Sequence, residues 1–257
     1  MSLIKQSTQL LRDEGISGLA KGAYRYLWWN GGMDLEYSVR LLFDLPVERQ
    51  IRGESTKFII GSKSELKRVT TFSGEKPVLR WFTRQIKSSD VVWDVGANIG
   101  TYSLFASPFA EQVVAFEPHP KNVEWLEENA NLNRTNIDIR PIALSDEGGT
   151  AYLDVSKEYA GAGGGSISTE GSYEISLNKG DKISPQPDII KIDVEGHEYS
   201  VLKGMTQVLE NVRVTLIELH EDDELGKVQD ILRENSFETE VRWEIGTRQF
   251  VVGEKRP

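Results

Sequence analysis

Asp193, Glu195 and His197 follow the apolar run Ile189-Ile190-Lys191-Ile192 with one residue between each. Carboxylates beside an imidazole are the groups of general acid–base work, and an imidazole with an ordinary pKa near 6.5 suits proton abstraction. Similar groups close other apolar runs. Asp94 ends Val91-Val92-Trp93, Glu117 and His119 come just after Val113-Val114-Ala115-Phe116, and Glu218 and His220 end the run from Val212. All three histidines of the chain therefore follow apolar runs. His197 is the first candidate for a general base, with Glu195, Asp193 and His220 as alternates. Asp193, Glu195, His197 and His220 could instead ligate a divalent metal that acidifies a hydroxyl, and mixed carboxylate and imidazole donors suit several metals. A plainer reading makes Asp94 and Asp193 helix caps, and His197 a residue that hydrogen-bonds backbone at a helix start.

The run ending in Asp94 leads into Val95-Gly96-Ala97-Asn98-Ile99-Gly100. A buried strand that passes through a glycine turn into a helix presents backbone N–H groups to a nucleotide-type ligand. Glu117 lies roughly 20 residues beyond Asp94, where an acidic side chain binds ribose hydroxyls. The turn lacks the middle glycine of G-x-G-x-x-G and carries a carboxylate that would repel a pyrophosphate. S-adenosylmethionine, with an adenosine, a sulfonium and an amino group but no phosphate, fits this turn better than a dinucleotide.

These groups need a scaffold that brings strand ends together. From Asp90 onward the sequence alternates: strands at 91–95, 112–116, 137–142, 189–194 and 212–219, with helices at 99–106, 121–132 and 227–234. A further helix carries Val201, Leu202, Met205, Val208 and Leu209 on one face. Stretches 237–241 and 249–252 read as a closing hairpin. The expected fold class is α/β, a doubly wound, mostly parallel sheet with a C-terminal antiparallel hairpin, whose ligands sit outside the carboxyl ends of the strands. The interval from Ile142 to Ile189 interrupts the alternation with possible strands at 150–155 and 173–177. Its run Gly161-Ala162-Gly163-Gly164-Gly165 lacks the Lys-Ser or Lys-Thr of a P-loop. A helix is expected at 75–86, and β-like pieces at 51–69.

Residues 1–50 read as an N-terminal helical extension, with Leu10, Leu11, Leu19, Tyr24, Leu27 and Trp28 on an apolar face and Lys21 and Arg25 opposite. This face either packs on the main domain or touches a membrane surface or partner. Residues 51–257 form the second unit, a β lead-in at 51–87 and a core at 88–257.

The formal charge of −10 and pI near 5.0 argue against a nucleic-acid substrate, because phosphates would be repelled. Cysteine is absent, which excludes disulfides, thiolate metal sites and thiol nucleophiles. No apolar run reaches the roughly 20 residues that span a bilayer, so a cytoplasmic location is the default expectation.

Four blocks then form a pattern: Asp94-Val95-Gly96-Ala97-Asn98-Ile99-Gly100, Phe116-Glu117-Pro118, Ala143-Leu144-Ser145-Asp146 and Lys191-Ile192-Asp193-Val194-Glu195-Gly196-His197-Glu198. In this order they resemble the FkbM family of S-adenosylmethionine-dependent methyltransferases, over roughly residues 75 to 220. The last block is the discriminating one. The resemblance implies a Rossmann-like methyltransferase fold and O-methylation of a hydroxyl on a sugar, glycolipid or other small metabolite. It implies Asp94, Gly96, Ala97, Asn98 and Gly100 around the methionine part of the cofactor. Glu117 and the adjoining Pro118 would meet the ribose, Ala143, Leu144 and Ser145 the adenine, and Asp193 the sulfonium and the acceptor. An NAD-dependent oxidoreductase and a non-catalytic adapter that keeps the fold are the competing readings.

Overall fold

The computed structural model describes residues 31–43, 45–154, 166–168, 171, 173–220 and 224–255. The apolar face expected between Leu10 and Trp28, and the glycine run at 161–165, lie outside them.

Helix α1 (Met33–Phe43) precedes a hairpin of β1 (Val47–Ile51) and β2 (Glu54–Phe58). Its two-residue turn, Arg52-Gly53, has positive φ at both positions, matching the twist of the flanking strands. The lead-in thus begins before residue 51. The stretch after the hairpin is helical rather than β-like: α2 (Lys63–Thr71) starts at a capping box. Ser62 Oγ accepts from Glu65 N at 3.2 Å, and Glu65 Oε2 accepts from Gly61 N at 2.6 Å. A short 3-10 turn, Phe72–Gly74, leads to α3 (Lys76–Gln85), whose Val78, Leu79 and Phe82 are buried.

Strand β3 (Val91–Val95), α4 (Thr101–Ala106), β4 (Gln112–Phe116), α5 (Pro120–Asn133) and β5 (Ile137–Arg140) follow as the alternation predicts. The interruption folds into a separate sheet of β6 (Ala143–Leu144), β7 (Gly149–Asp154), β8 (Ser166–Ser168) and β9 (Tyr173–Asn178), in the order β6-β9-β7-β8. The alternation resumes with β10 (Ile189–Ile192), α6 (Glu198–Lys203), α7 (Thr206–Leu209), β11 (Val214–Leu219) and α8 (Leu225–Glu234). It closes on the hairpin β12 (Phe237–Ile245) and β13 (Arg248–Lys255).

The single helix expected over 201–209 is two. The break is at Gly204, which packs so closely that a Cβ would lie 1.9 Å from the Ser145 carbonyl oxygen. All five of the expected core residues are nevertheless buried.

The central sheet runs β12-β13-β11-β10-β3-β4-β5, parallel from β11 to β5 and antiparallel in the closing hairpin. Side chains alternate between two apolar layers. Trp93, Val95, Ile190 and Ile192 pack with α6, α7 and α8, while Val92, Ile189 and Leu216 pack with α3, α4 and α5. The second layer turns polar at the carboxyl ends of its strands, where Asp94, Lys191 and Glu218 take the next same-face positions. Among the described residues no helix is long and apolar enough to cross a membrane.

Candidate functional site

A cavity of about 290 Å³ opens at those strand ends. Gly96, Ala97, Asn98 and Glu117 line one side, and Asp193, Glu195, Glu218 and His220 another. Phe116, Pro118, Ile142, Leu144, Leu153 and Ile167 form an apolar part, to which the small sheet contributes Leu144, Leu153 and Ile167. Arg68, Phe72, Ser73 and Glu75 of the lead-in and Arg248 of the hairpin complete the wall.

The glycine turn is fixed by its backbone. Gly96 has φ +78°, and a Cβ there would sit 1.8 Å from the Asp193 carbonyl oxygen. Gly100 has φ +91°, and a Cβ there would meet Leu126 at 2.3 Å. The two glycines therefore let the turn lie against β10 and α5. The N–H groups of Gly96 and Ala97 donate to Phe116 O. Glu117 is buried; it accepts from Asn98 N at 2.8 Å, His119 N at 2.9 Å and Asn122 Nδ2 at 3.2 Å. Burial pushes its carboxyl up against those bonds. His119 caps α5 through Nδ1, which accepts from Lys121 N at 3.1 Å.

Asp94 sits behind the cavity lining. Its Oδ2 accepts from Ser103 N at 2.9 Å and Ser103 Oγ at 2.6 Å, bracing the start of α4. Its Oδ1 ion-pairs with Lys191 Nζ at 3.4 Å, across the β3–β10 register that sets Lys191 opposite Asp94. Lys191 is buried and also donates to Gly96 O at 3.2 Å and Asp193 Oδ2 at 3.3 Å. Burial alone would lower its pKa, but Asp193 and Asp94 hold it raised. Burial would raise Asp193 in turn, and Lys191 and His220 keep it below the usual range.

Of the expected site residues, Gly96, Ala97, Asn98, Glu117, Pro118, Ala143, Leu144, Asp193 and Glu195 line the cavity together, whereas Asp94, Gly100, Ser145 and His197 do not. His197 Nε2 instead meets Ser145 Oγ at 2.9 Å, and burial lowers its pKa. The histidine on the cavity is His220. Its Nε2 is 3.3 Å from Glu195 Oε2, 3.5 Å from Glu218 Oε1 and 3.8 Å from Asp193 Oδ1. Burial would lower its pKa, but Glu198, Asp193, Glu195 and Glu218 raise it to about 9. Burial and Asp193 push Glu195 up. Burial, Asp193 and Glu75 push Glu218 to about 8 against the opposing Arg248. Donor atoms of Asp193, Glu195 and His220 lie within 4.8 Å of one another, so these three could hold a cation.

Lys191, Glu75, Tyr102 and Arg248 were not among the expected site residues. Arg248 Nη1 donates to Glu75 Oε1 at 2.5 Å and to Glu218 Oε1 at 2.7 Å, and Nη2 donates to Ser73 O at 2.9 Å. Tyr102 OH donates to Glu75 Oε2 at 3.2 Å. The lysine inside Ile190-Lys191-Ile192 and the glutamate inside Ile217-Glu218-Leu219 were readable signals, since a charged side chain in a buried strand requires a partner. Nothing local announced Arg248.

These residues fit S-adenosylmethionine. Asp193 and Glu195 line the cavity together with the glycine turn, where carboxylates complement a sulfonium or an amino group and would repel a pyrophosphate. The apolar part suits an adenine, and Glu117, between Phe116 and Pro118 in the chain, bonds the glycine turn at Asn98 N.

Residues 94–239 match the family model described as the methyltransferase FkbM domain. The chain is 33% identical over 216 residues to the hexuronic acid methyltransferase AglP of Haloferax volcanii, covering 82% of this chain and 90% of that one. It is 31% identical over 193 residues to the 31-O-demethyl-FK506 methyltransferase FkbM of Streptomyces tacrolimicus, covering 60% and 74%. A crystal structure of a methyltransferase FkbM from Methylobacillus flagellatus aligns with a TM-score of 0.49 and 15% identity, over 76% of this chain and 56% of that one. The chain is an S-adenosylmethionine-dependent methyltransferase of the FkbM family.

Proposed function

We propose that the protein methylates a hydroxyl group on a sugar, with His220 as the general base. The observation that carries this reading is that His220 opens, with Asp193 and Glu195, onto the same cavity as the glycine turn and Glu117. The name of the relative from Haloferax volcanii, a hexuronic acid methyltransferase, supports the sugar.

When bound, S-adenosylmethionine supplies a methyl group activated by a cationic sulfur. The residues of the chain do the rest. Gly96, Ala97 and Asn98 would border the methionine portion, and Glu117 would accept from the ribose hydroxyls. Leu144, Leu153 and Ile167 would enclose the adenine and exclude water. Asp193 and Glu195 complement the cofactor's positive charge. Added positive charge beside His220 opposes its protonation, so the loaded site favours the neutral imidazole that a base requires. Nε2 would take the acceptor's hydroxyl proton while the acceptor oxygen gains the methyl group and the cofactor sulfur keeps the electron pair of the broken sulfur–methyl bond.

The test is a panel of sugars, including uronic acids, scored by mass spectrometry for the gain of one methyl group. His220→Gln is expected to lower kcat by about 10²–10⁴-fold, the usual range for a lost general base. His197→Ala is expected to stay within a fewfold of wild type. The reverse ranking would return the base to His197, and retention of full activity in both would end the base assignment. If chelation abolishes turnover and added metal restores it, Asp193, Glu195 and His220 act as cation ligands instead.

A further inference from the structure

We infer that Glu198 is the positioning residue for His220: it holds the imidazole by its Nδ1–H and leaves Nε2 turned to the acceptor. This rests on His220 as the base. The geometry is specific to this pair. Glu198 is 1% exposed and lies outside the cavity lining, so it touches neither the cofactor nor the acceptor. Its Oε1 accepts from Val194 N at 3.3 Å and Gly196 N at 3.2 Å, which pins the carboxylate to the turn after β10. His220 Nδ1 is buried without a hydrogen bond, and Glu198 Oε1 is the acid that faces it, at 3.7 Å.

That separation exceeds a hydrogen bond, and catalytic hydrogen bonds commonly close only when the site fills. The other acids around His220 all approach Nε2: Glu195 and Asp193 from the turn after β10, and Glu218 from β11. Lys191 bonds Asp193, and Arg248 bonds Glu218. One nitrogen thus has a single fixed carboxylate behind it, and the other faces the cavity. A carboxylate on Nδ1–H fixes the tautomer and supports the imidazolium that forms on proton transfer.

The competing role for Glu198 is purely local, as an acid in the first turn of α6 that also ties down the Asp193–His197 turn. Kinetics and spectroscopy separate the two. Glu198→Gln keeps an oxygen for the turn's N–H groups and removes the charge. It is expected to lower kcat roughly 10- to 100-fold, while KM for S-adenosylmethionine stays within twofold. Glu198→Ala is expected to lower kcat further. A raised KM with unchanged kcat would assign Glu198 to the turn and overturn the proposal. Nitrogen-15 NMR of histidine-labelled protein with bound cofactor, assigned against His220→Gln, reads the ring directly. Nδ1–H is expected in the neutral wild-type imidazole, and Nε2–H would overturn the pairing whatever the activity. If His220→Gln keeps full turnover, the base assignment fails, and the NMR result still decides the Glu198 contact.

Discussion

Lys191 shows how a single buried charge joins two motifs. It bonds Gly96 O and Asp193 Oδ2 and ion-pairs Asp94, so the glycine turn and the acidic turn share one cation. Removing one partner of a buried ion pair leaves the others uncompensated, which costs about 3–5 kcal/mol. Lys191→Met is therefore expected to lose about that much in urea unfolding, and a loss below about 1 kcal/mol would mean the carboxylates find other partners. Glu65 carries a charge effect of the opposite kind. Burial raises its carboxyl from 4.5 to about 7, outweighing the hydrogen bonds from Gly61 and Ser62. A carboxyl raised by folding favours the native state when protonated. The stability it gives is fully present below about pH 4.5 and is lost as pH rises through about 7. The full swing is about 3 kcal/mol. Urea titrations near pH 5 and near pH 8 should show Glu65→Gln flattening that swing, and an equal wild-type-to-variant difference at both pH values would count against it. The acids and the glycine turn were legible as single residues because they stand where apolar runs end. Which histidine faces the cavity was not legible, since His197 and His220 both follow strands and only three-dimensional packing turns one toward Ser145.

Among the elements, α5 secures the lead-in that walls the cavity. Asn129 Oδ1 accepts from Ile59 N at 2.7 Å, and its Nδ2 donates to Ile99 O at 3.1 Å. Asn133 Oδ1 accepts from Lys57 N at 2.8 Å, and its Nδ2 donates to Lys57 O at 2.7 Å. These side chains take the place of a neighbouring strand beside β2. Asn129→Ala would leave the buried Ile99 C=O unpaired and free the part-buried Ile59 N–H, an expected loss of about 1–3 kcal/mol from the buried group. A thermal midpoint equal to wild type would mean that water replaces the amide. The strand–helix alternation from β3 to α8 was readable because buried parallel strands and amphipathic helices leave different periods. Helix α2 was not legible: its Ser62-to-Glu65 cap stands in the sequence, but the adjacent aromatic and β-branched Phe58-Ile59-Ile60 favours a strand. The need for glycine at 204 was hidden because the atom it packs against is a distant carbonyl, that of Ser145.

At the scale of the whole molecule, the cavity joins three units of the fold: the lead-in, the central sheet and the small sheet. Cofactor binding should therefore stabilise all of them together. A ligand at 100 times its Kd adds about 2.7 kcal/mol, which at roughly 2–4 °C per kcal/mol is a clear thermal shift. S-adenosylmethionine is expected to produce it and NAD is not, and the reverse result would contradict the cofactor assignment. The wall has a further consequence through Arg248, which meets Glu75 across 173 positions of chain. Ribosomes deliver Glu75 well before Arg248. The glycine turn and the acidic turn are both made before the guanidinium that closes the wall around them. A growing chain thus acquires the glycine turn and the acidic turn before the side chain that bridges Glu75 and Glu218, so the cavity wall is finished later than the two turns it faces.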